Sequence, residues 1–216
     1  RYAETAAEAL GLPLHLQTYT MSDVEEVLQR VLWLIEETDV VKVGVAIPFY
    51  WTAETASKLG HNVLLTGQGG DELFGGYRRY LKEYTHSGVL AVQDAMYRDV
   101  ASSYETNFQR DNQVCSFHKV ELRLPFADRE VAHFSLGLPL SVKIDSMDDP
   151  LRKRVLRQVA QSLGMPQFIV NKTKKAVQYA TGVDKSLRRL ARRKGLTLQS
   201  MLKTAFRRVY PNSGEE

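Results

Sequence analysis

Apolar residues recur at helical spacing at Val24, Val27, Leu28, Val31, Leu32 and Ile35, with Ser22 or Asp23 placed to cap the segment. All six fall on one face, which predicts a helix laid against a core. Tyr2–Leu10 is alanine-rich and stops before Gly11 and Pro13, the pattern of a second helix with its end signal. Between them Leu14 and Leu16 alternate with His15 and Gln17, which predicts a strand over Leu14–Tyr19. A third helix is expected to follow Pro48 and to end at Gly60. Val63-Leu64-Leu65, within His61–Thr66, is a short apolar run suited to a strand buried on both faces. Helices and strands alternating in this way predict a parallel sheet covered by helices.

Past residue 80 the strand signal fades. Helical spacing marks residues 89–105, 129–136, 151–163, 185–193 and 197–208, and Asp149 with Pro150 offers a start signal for the third of these. Within Leu187–Val209, Leu190, Leu196, Leu198, Met201, Leu202, Ala205 and Phe206 lie between basic residues, as amphipathic helices docked on a body would require. The expected fold class is α/β, with a core over residues 1–80 and a helical C-terminal elaboration of the same domain over 81–216.

Composition narrows the class. The chain has 216 residues, 44% hydrophobic and 25% charged, which is enough for one sizeable core. No run of 18 apolar residues occurs, so no membrane-spanning segment is expected, and no charged-then-apolar leader opens the sequence. A single cysteine, Cys115, excludes a disulfide framework and a cysteine-based zinc site, and points to a reducing, cytoplasmic setting. The net charge of +4 hides a split: residues 1–149 hold 13 basic and 22 acidic side chains, residues 150–216 hold 16 and 3. The last third is therefore expected to meet anions or to pack against acidic surface. The first methionine is Met21, which leads us to expect an upstream segment.

Three stretches carry candidate chemistry. In Thr66-Gly67-Gln68-Gly69-Gly70-Asp71-Glu72-Leu73-Phe74-Gly75-Gly76-Tyr77, three glycines within four residues follow a strand signal. Glycines there let backbone N–H groups approach a ligand, and the two acids suit a magnesium ion that also takes phosphate oxygens. The competing reading is a glycine-rich turn with a helix cap at Asp71, since neither the dinucleotide nor the Walker pattern is present. In Val120-Glu121-Leu122-Arg123-Leu124-Pro125-Phe126-Ala127-Asp128, Glu121 and Arg123 share one side of an extended segment. Arg123 there suits either a bidentate hold on a carboxylate or an internal salt bridge. Lys172-Thr173-Lys174-Lys175, followed by Gly182, places three lysines in four residues, as a phosphate clamp or a solvated surface would.

Together and in order, these stretches resemble the synthetase domain of asparagine synthetases. Ile47-Pro48-Phe49-Tyr50, the turn at 66–77, Arg110-Asp111-Asn112, the element at 120–128, Lys153–Arg157, the Gly164–Pro166 turn and the lysine segment follow the family's sequence of motifs over about residues 1–190. The resemblance implies a parallel sheet of the adenine-nucleotide hydrolase, or ATP pyrophosphatase, type. It implies ATP and Mg2+, an aspartate or related carboxylate activated as an acyl-adenylate with pyrophosphate release, and amination by ammonia, by another amine donor, or by way of a separate glutaminase. It implies Asp71 as the magnesium ligand beside Glu72, Lys174 with Lys175 second as the charge-stabilising lysine, and Gly67, Gly69 and Gly70 at the nucleotide or substrate. Arg123 and Asp128 would support the site, and Lys153 and Arg157 would face phosphate.

Two departures from the family pattern stand out. Gln68 occupies a position where many members carry an acid; its amide can orient an amine but cannot accept a proton at neutral pH. The phosphate loop Ser-Gly-Gly-x-Asp-Ser does not occur in these 216 residues, so it is expected upstream and the chain alone is expected to be inactive. Alternative readings are a β-lactam-synthetase-like ligase, a tRNA-modifying ATP pyrophosphatase, and a non-catalytic remnant. Nucleic acid and membrane partners are not expected.

Overall fold

Helix α1 covers Tyr2–Ala9 in the computed structural model, which describes residues 2–146 and 148–211. Leu14–Tyr19 forms no strand and runs as exposed irregular chain, because alternation stabilises a strand only where a neighbour completes its backbone hydrogen bonds. α2 spans Met21–Ile35 and its cap is Thr20, not Ser22 or Asp23. Thr20 Oγ1 accepts from Asp23 N at 3.3 Å while Asp23 Oδ2 accepts from Thr20 N at 2.5 Å, a reciprocal capping box. α3, Val40–Lys58, starts well before the expected point, with Pro48 inside it. Asp39 Oδ1 caps it by accepting from Val41 N and Lys42 N, both at 2.8 Å. An interior proline costs about 3 kcal/mol, which burial of Val43, Ala46, Ile47 and Trp51 on the same helix outweighs.

β1, Val63–Leu65, is followed by the short α4, Gly70–Leu73, and by α5, Arg78–Ala101, whose backbone breaks at Gly88 (φ 79°). The helix expected over 89–105 is thus the second half of α5. A π-helical turn at Tyr104–Phe108 leads into α6, Gln109–Phe117, which the pattern missed because its buried face carries Arg110 and Asp111. β2 is Glu121–Arg123, and α7, Arg129–Gly137, is capped by Asp128. α8, Leu140–Lys143, precedes α9, Arg154–Ser162. α9 begins later than expected because Asp149 closes a turn instead of capping it, its Oδ1 accepting from Leu151 N (2.8 Å) and Arg152 N (2.9 Å). α10 (Gln167–Val170), α11 (Val177–Ala180), α12 (Val183–Arg193) and α13 (Leu198–Val209) complete the described chain. No helix among the described residues is long and apolar enough to cross a membrane.

The chain divides into two compact units. One gathers residues 19–66, 102–125 and the described part of 175–216. Here β1 and β2 pair in parallel, Val63 with Glu121, Leu64 with Leu122 and Leu65 with Arg123, the one sheet among the described residues. β1 is not covered on both faces, since Leu65 is 72% exposed. The core is helical: α2, α3, α6, α12 and α13 bury Val31, Leu32, Ile47, Val114, Leu187 and Leu202 together. The fold is therefore α/β but mostly helical, with a small parallel sheet.

The other unit gathers residues 2–18, 67–101, 126–146 and 148–174. Its core is smaller and built on Tyr80, Leu81, Val92 and Met96 of α5 with Leu140 and Ile144. The Tyr80 hydroxyl donates to Asp99 rather than being left unpaired in that core. This unit holds the glycine-rich turn.

Candidate functional site

The turn after β1 is shaped by what its glycines allow. Gly69 has φ 89°, a left-handed conformation that a side chain would strain. Gly76 is required for space: a Cβ there would sit 1.9 Å from Asp71 Oδ1 and 2.5 Å from Lys153 Cε. The backbone closes the same loop, with Gly76 N donating to Asp71 O at 2.7 Å. A bare backbone thus walls the Asp71 carboxylate on one side.

Two ammonium groups meet that carboxylate. Lys153 Nζ lies 2.8 Å from Asp71 Oδ1 and Lys174 Nζ 3.1 Å from Oδ2, with all three side chains only 20–24% exposed. Burial alone pushes the Asp71 carboxyl up, but the charges of Lys153 and Lys174 and their hydrogen bonds more than offset it, and the group sits below its ordinary value. Asp71 therefore stays ionised at neutral pH. Each ammonium carries three N–H donors, so both retain donors for an anion. Lys174 Nζ also lies 4.9 Å from the centre of the Tyr77 ring.

Glu72 is 2% exposed and turns to Tyr77, whose hydroxyl donates to Glu72 Oε1 at 2.5 Å. Burial first, then the Glu72 charge and this hydrogen bond, push the Tyr77 hydroxyl far up, so it remains a donor. Glu72 thereby braces the turn while Asp71 presents its carboxylate.

The remaining expected residues are distributed as follows. Gly67 is exposed and Gln68 half-buried at the start of the turn, and Gly70 is buried with Lys153 Nζ 3.7 Å from where its Cβ would stand. Lys175 is exposed, and it is Lys174 that reaches Asp71. Arg123 lies in the other unit, exposed on β2, with Nε 2.8 Å from Glu121 Oε1. Of the two readings open for Arg123, this geometry is the internal salt bridge. Lys172 stands 3.4 Å over the Tyr2 ring, and Arg157 is committed to backbone carbonyls, so its expected orientation toward phosphate is corrected. Sequence reasoning ranked Lys153 as a motif residue and overlooked Gly76; the doubled glycine at 75–76 was the available signal for a close approach.

With Glu72 turned to Tyr77 and Asp71 Oδ1 enclosed by Lys153 and Gly76, a magnesium ion here would be held through Asp71 Oδ2 alone, with phosphate oxygens completing the shell. Among the described residues no group of three or more His, Cys, Asp or Glu side chains forms an all-protein metal cage.

Comparison with known proteins bears on this arrangement. A family model described as asparagine synthase matches residues 1–91 and 82–212. A putative glutamine-hydrolysing asparagine synthetase of Methanocaldococcus jannaschii is 32% identical over 225 residues, covering 91% of this chain and 41% of that protein. A glutamine-hydrolysing asparagine synthetase of Asparagus officinalis is 27% identical, covering 98% of this chain and 36% of its own length. An asparagine synthetase domain-containing protein of Saccharomyces cerevisiae is 31% identical over 118 residues, covering 54% and 20%. The chain spans well under half the length of these relatives.

Proposed function

This chain belongs to the asparagine synthase family, and from that premise we propose that it is part of an ATP-dependent carbon–nitrogen ligase with a nucleotide-binding fold of the ATP pyrophosphatase type. The substrate is a carboxylate, aspartate first, whose side chain attacks the α-phosphate of ATP. The O–P bond formed gives an acyl-adenylate as pyrophosphate leaves. Ammonia or another amine then attacks the acyl carbon, loses a proton, and AMP departs.

The observation that carries this reading is one ionised, glycine-walled carboxylate held between two ammonium groups. The first step brings an anionic nucleophile to a triphosphate bearing about four negative charges, so fixed positive charge must offset the repulsion. Lys153 and Lys174 supply it through the N–H donors that Asp71 leaves free. Asp71 would hold Mg2+, with Glu72 bracing the turn behind it, and the ion would supply charge neutralisation at the phosphate oxygens. Gly69 and Gly70 let the turn pack directly on Phe126, and the half-buried Gln68 amide orients the incoming amine. Gln68 cannot take that amine's proton, which passes to solvent or to another group.

Cys115 weighs against the tRNA-modifying alternative. It is the one cysteine, fully buried, and burial followed by the Asp111 charge pushes its thiol up to about 12, away from sulfur-transfer chemistry.

The test is aspartate-dependent pyrophosphate release in the presence of ammonia, measured for the chain alone and for the chain extended upstream by a phosphate-loop segment. The extended form is expected to release pyrophosphate and the chain alone is not. Asp71→Asn should lower the rate of the extended form by roughly 10²–10³-fold. Release independent of aspartate would overturn the substrate assignment.

A further inference from the structure

Every nitrogen of the Arg157 guanidinium donates to backbone, and the two segments it grips are those that carry the site lysines. Nε reaches Arg152 O at 2.7 Å and Nη2 reaches Leu151 O at 2.6 Å. Nη1 donates to Val170 O, and Nη2 also reaches Lys172 O at 2.9 Å. Leu151 and Arg152 lead directly into Lys153, and Lys172 precedes Lys174 by two residues. We propose that Arg157 is the positioning residue of the Asp71 site, a clasp that sets where Lys153 and Lys174 present their ammonium groups.

The local backbone explains why a clasp is needed. Arg152 and Lys153 both stand at φ 54°, a left-handed conformation that costs a non-glycine residue about 1–2 kcal/mol. Two such residues in succession persist only where their surroundings hold them. Asp149 holds the N–H side of this turn, accepting from Leu151 N and Arg152 N, and Arg157 holds its carbonyl side. The second segment is steadied as well, by Lys172 over the Tyr2 ring and by the edge-on contact of Tyr2 with Phe168. A guanidinium is the one side chain with donors in a planar fork wide enough to meet four carbonyls at once. Lysine can satisfy some of them from a single point, and methionine none.

This inference rests on the reading of Lys153 and Lys174 as the pair that faces phosphate. It is tested on the 216-residue chain with Arg157→Lys and Arg157→Met, each first checked for a cooperative unfolding transition. Nitrogen NMR of the lysine ammonium groups, with Lys153→Arg and Lys174→Arg supplying the assignments, reads the positions directly. Both signals are expected to move toward those of solvent-exposed lysines in Arg157→Met, and part of the way in Arg157→Lys. Signals that stay put in a folded variant overturn the proposal, and if the methionine variant does not fold the lysine variant decides. Calorimetric titration with inorganic pyrophosphate is the second readout, with affinity expected to fall roughly tenfold in Arg157→Met and less in Arg157→Lys. Lysine signals that move without any loss of pyrophosphate affinity overturn the link to the ligand. A wild-type chain that binds no pyrophosphate, while the signals still move, defeats the phosphate reading and leaves the clasp standing.

Discussion

Leu32, Ile47 and Leu202 in one unit and Asp71, Lys153 and Lys174 in the other are all withdrawn from water, for opposite reasons. The first three sit in a helical core, where many interchangeable aliphatic contacts add up and the exact neighbour matters little. The charged three depend on a few contacts at set distances, and each would be costly to bury without the others. The core of the unit around α2, α3, α12 and α13 is thus held by area, whereas the Asp71 site of the turn-bearing unit is held by geometry at one carboxylate. A change of one methyl group should act very differently in the two places.

Gly76→Ala is the sharpest way to break the geometric side. The added methyl would overlap Asp71 Oδ1 at 1.9 Å and Lys153 Cε at 2.5 Å, so the contact between the two side chains must shift. Pyrophosphate release by the extended protein should fall by roughly 10³-fold, with the helical unit's secondary structure unchanged by circular dichroism. Leu32→Ala probes the other side: it should cost about 2–5 kcal/mol of unfolding free energy in a denaturant titration. A pyrophosphate-release rate that fell as far as in Gly76→Ala would erase the distinction.

Lys143 offers a finer test, because it is a charged residue buried in the turn-bearing unit, 3% exposed, with desolvation lowering its ammonium to about 8 from 10.5. Between those values the unfolded chain binds a proton that the folded chain does not, so stability should rise with pH across that window. Lys143→Met should abolish this slope and raise stability at pH 7 by up to about 3 kcal/mol, read from thermal melts at several pH values. A slope that survives the substitution would rule Lys143 out as its source.

Asp71 gives a slope of the same sign at the acid end, but from a contribution that stabilises the fold rather than from a burial penalty. Its folded value lies below 3.8, so its contribution is in full force above that pH and is lost as pH falls through the folded value. In Asp71→Asn that part of the acid-induced loss of stability should disappear. The smallest effect belongs to the exposed Arg123–Glu121 pair on β2, where solvent screens the charges and Arg123→Ala should leave the denaturation midpoint essentially unchanged.

The helical unit was largely legible in the residue pattern. The faces of α2, α12 and α13 were read from spacing alone, since a helix repeats its buried side every 3.6 residues. Where packing or local bonding overrode the pattern, the reading slipped. Pro48 lies inside α3 rather than before it, α6 hides Arg110 and Asp111 on its buried face, and the alternation of Leu14–Tyr19 found no partner strand. At the turn, the residue types were legible and their partners were not. Asp71 and Lys174 were singled out by the family resemblance, whereas Lys153 lies 82 residues from Asp71 in sequence and carries no local mark of that contact.

What the sequence determined by itself was the family, the helical periodicity, and the kinds of groups available: a glycine-rich acidic turn, a lysine run, and a single cysteine. Tertiary structure alone decided that Lys174 and not Lys175 meets Asp71, that Gly76 is glycine for want of space, and that Arg157 grips carbonyls instead of phosphate. Periodicity is written in neighbours a few residues apart, while an ion pair is a distance between residues that only the folded backbone brings together.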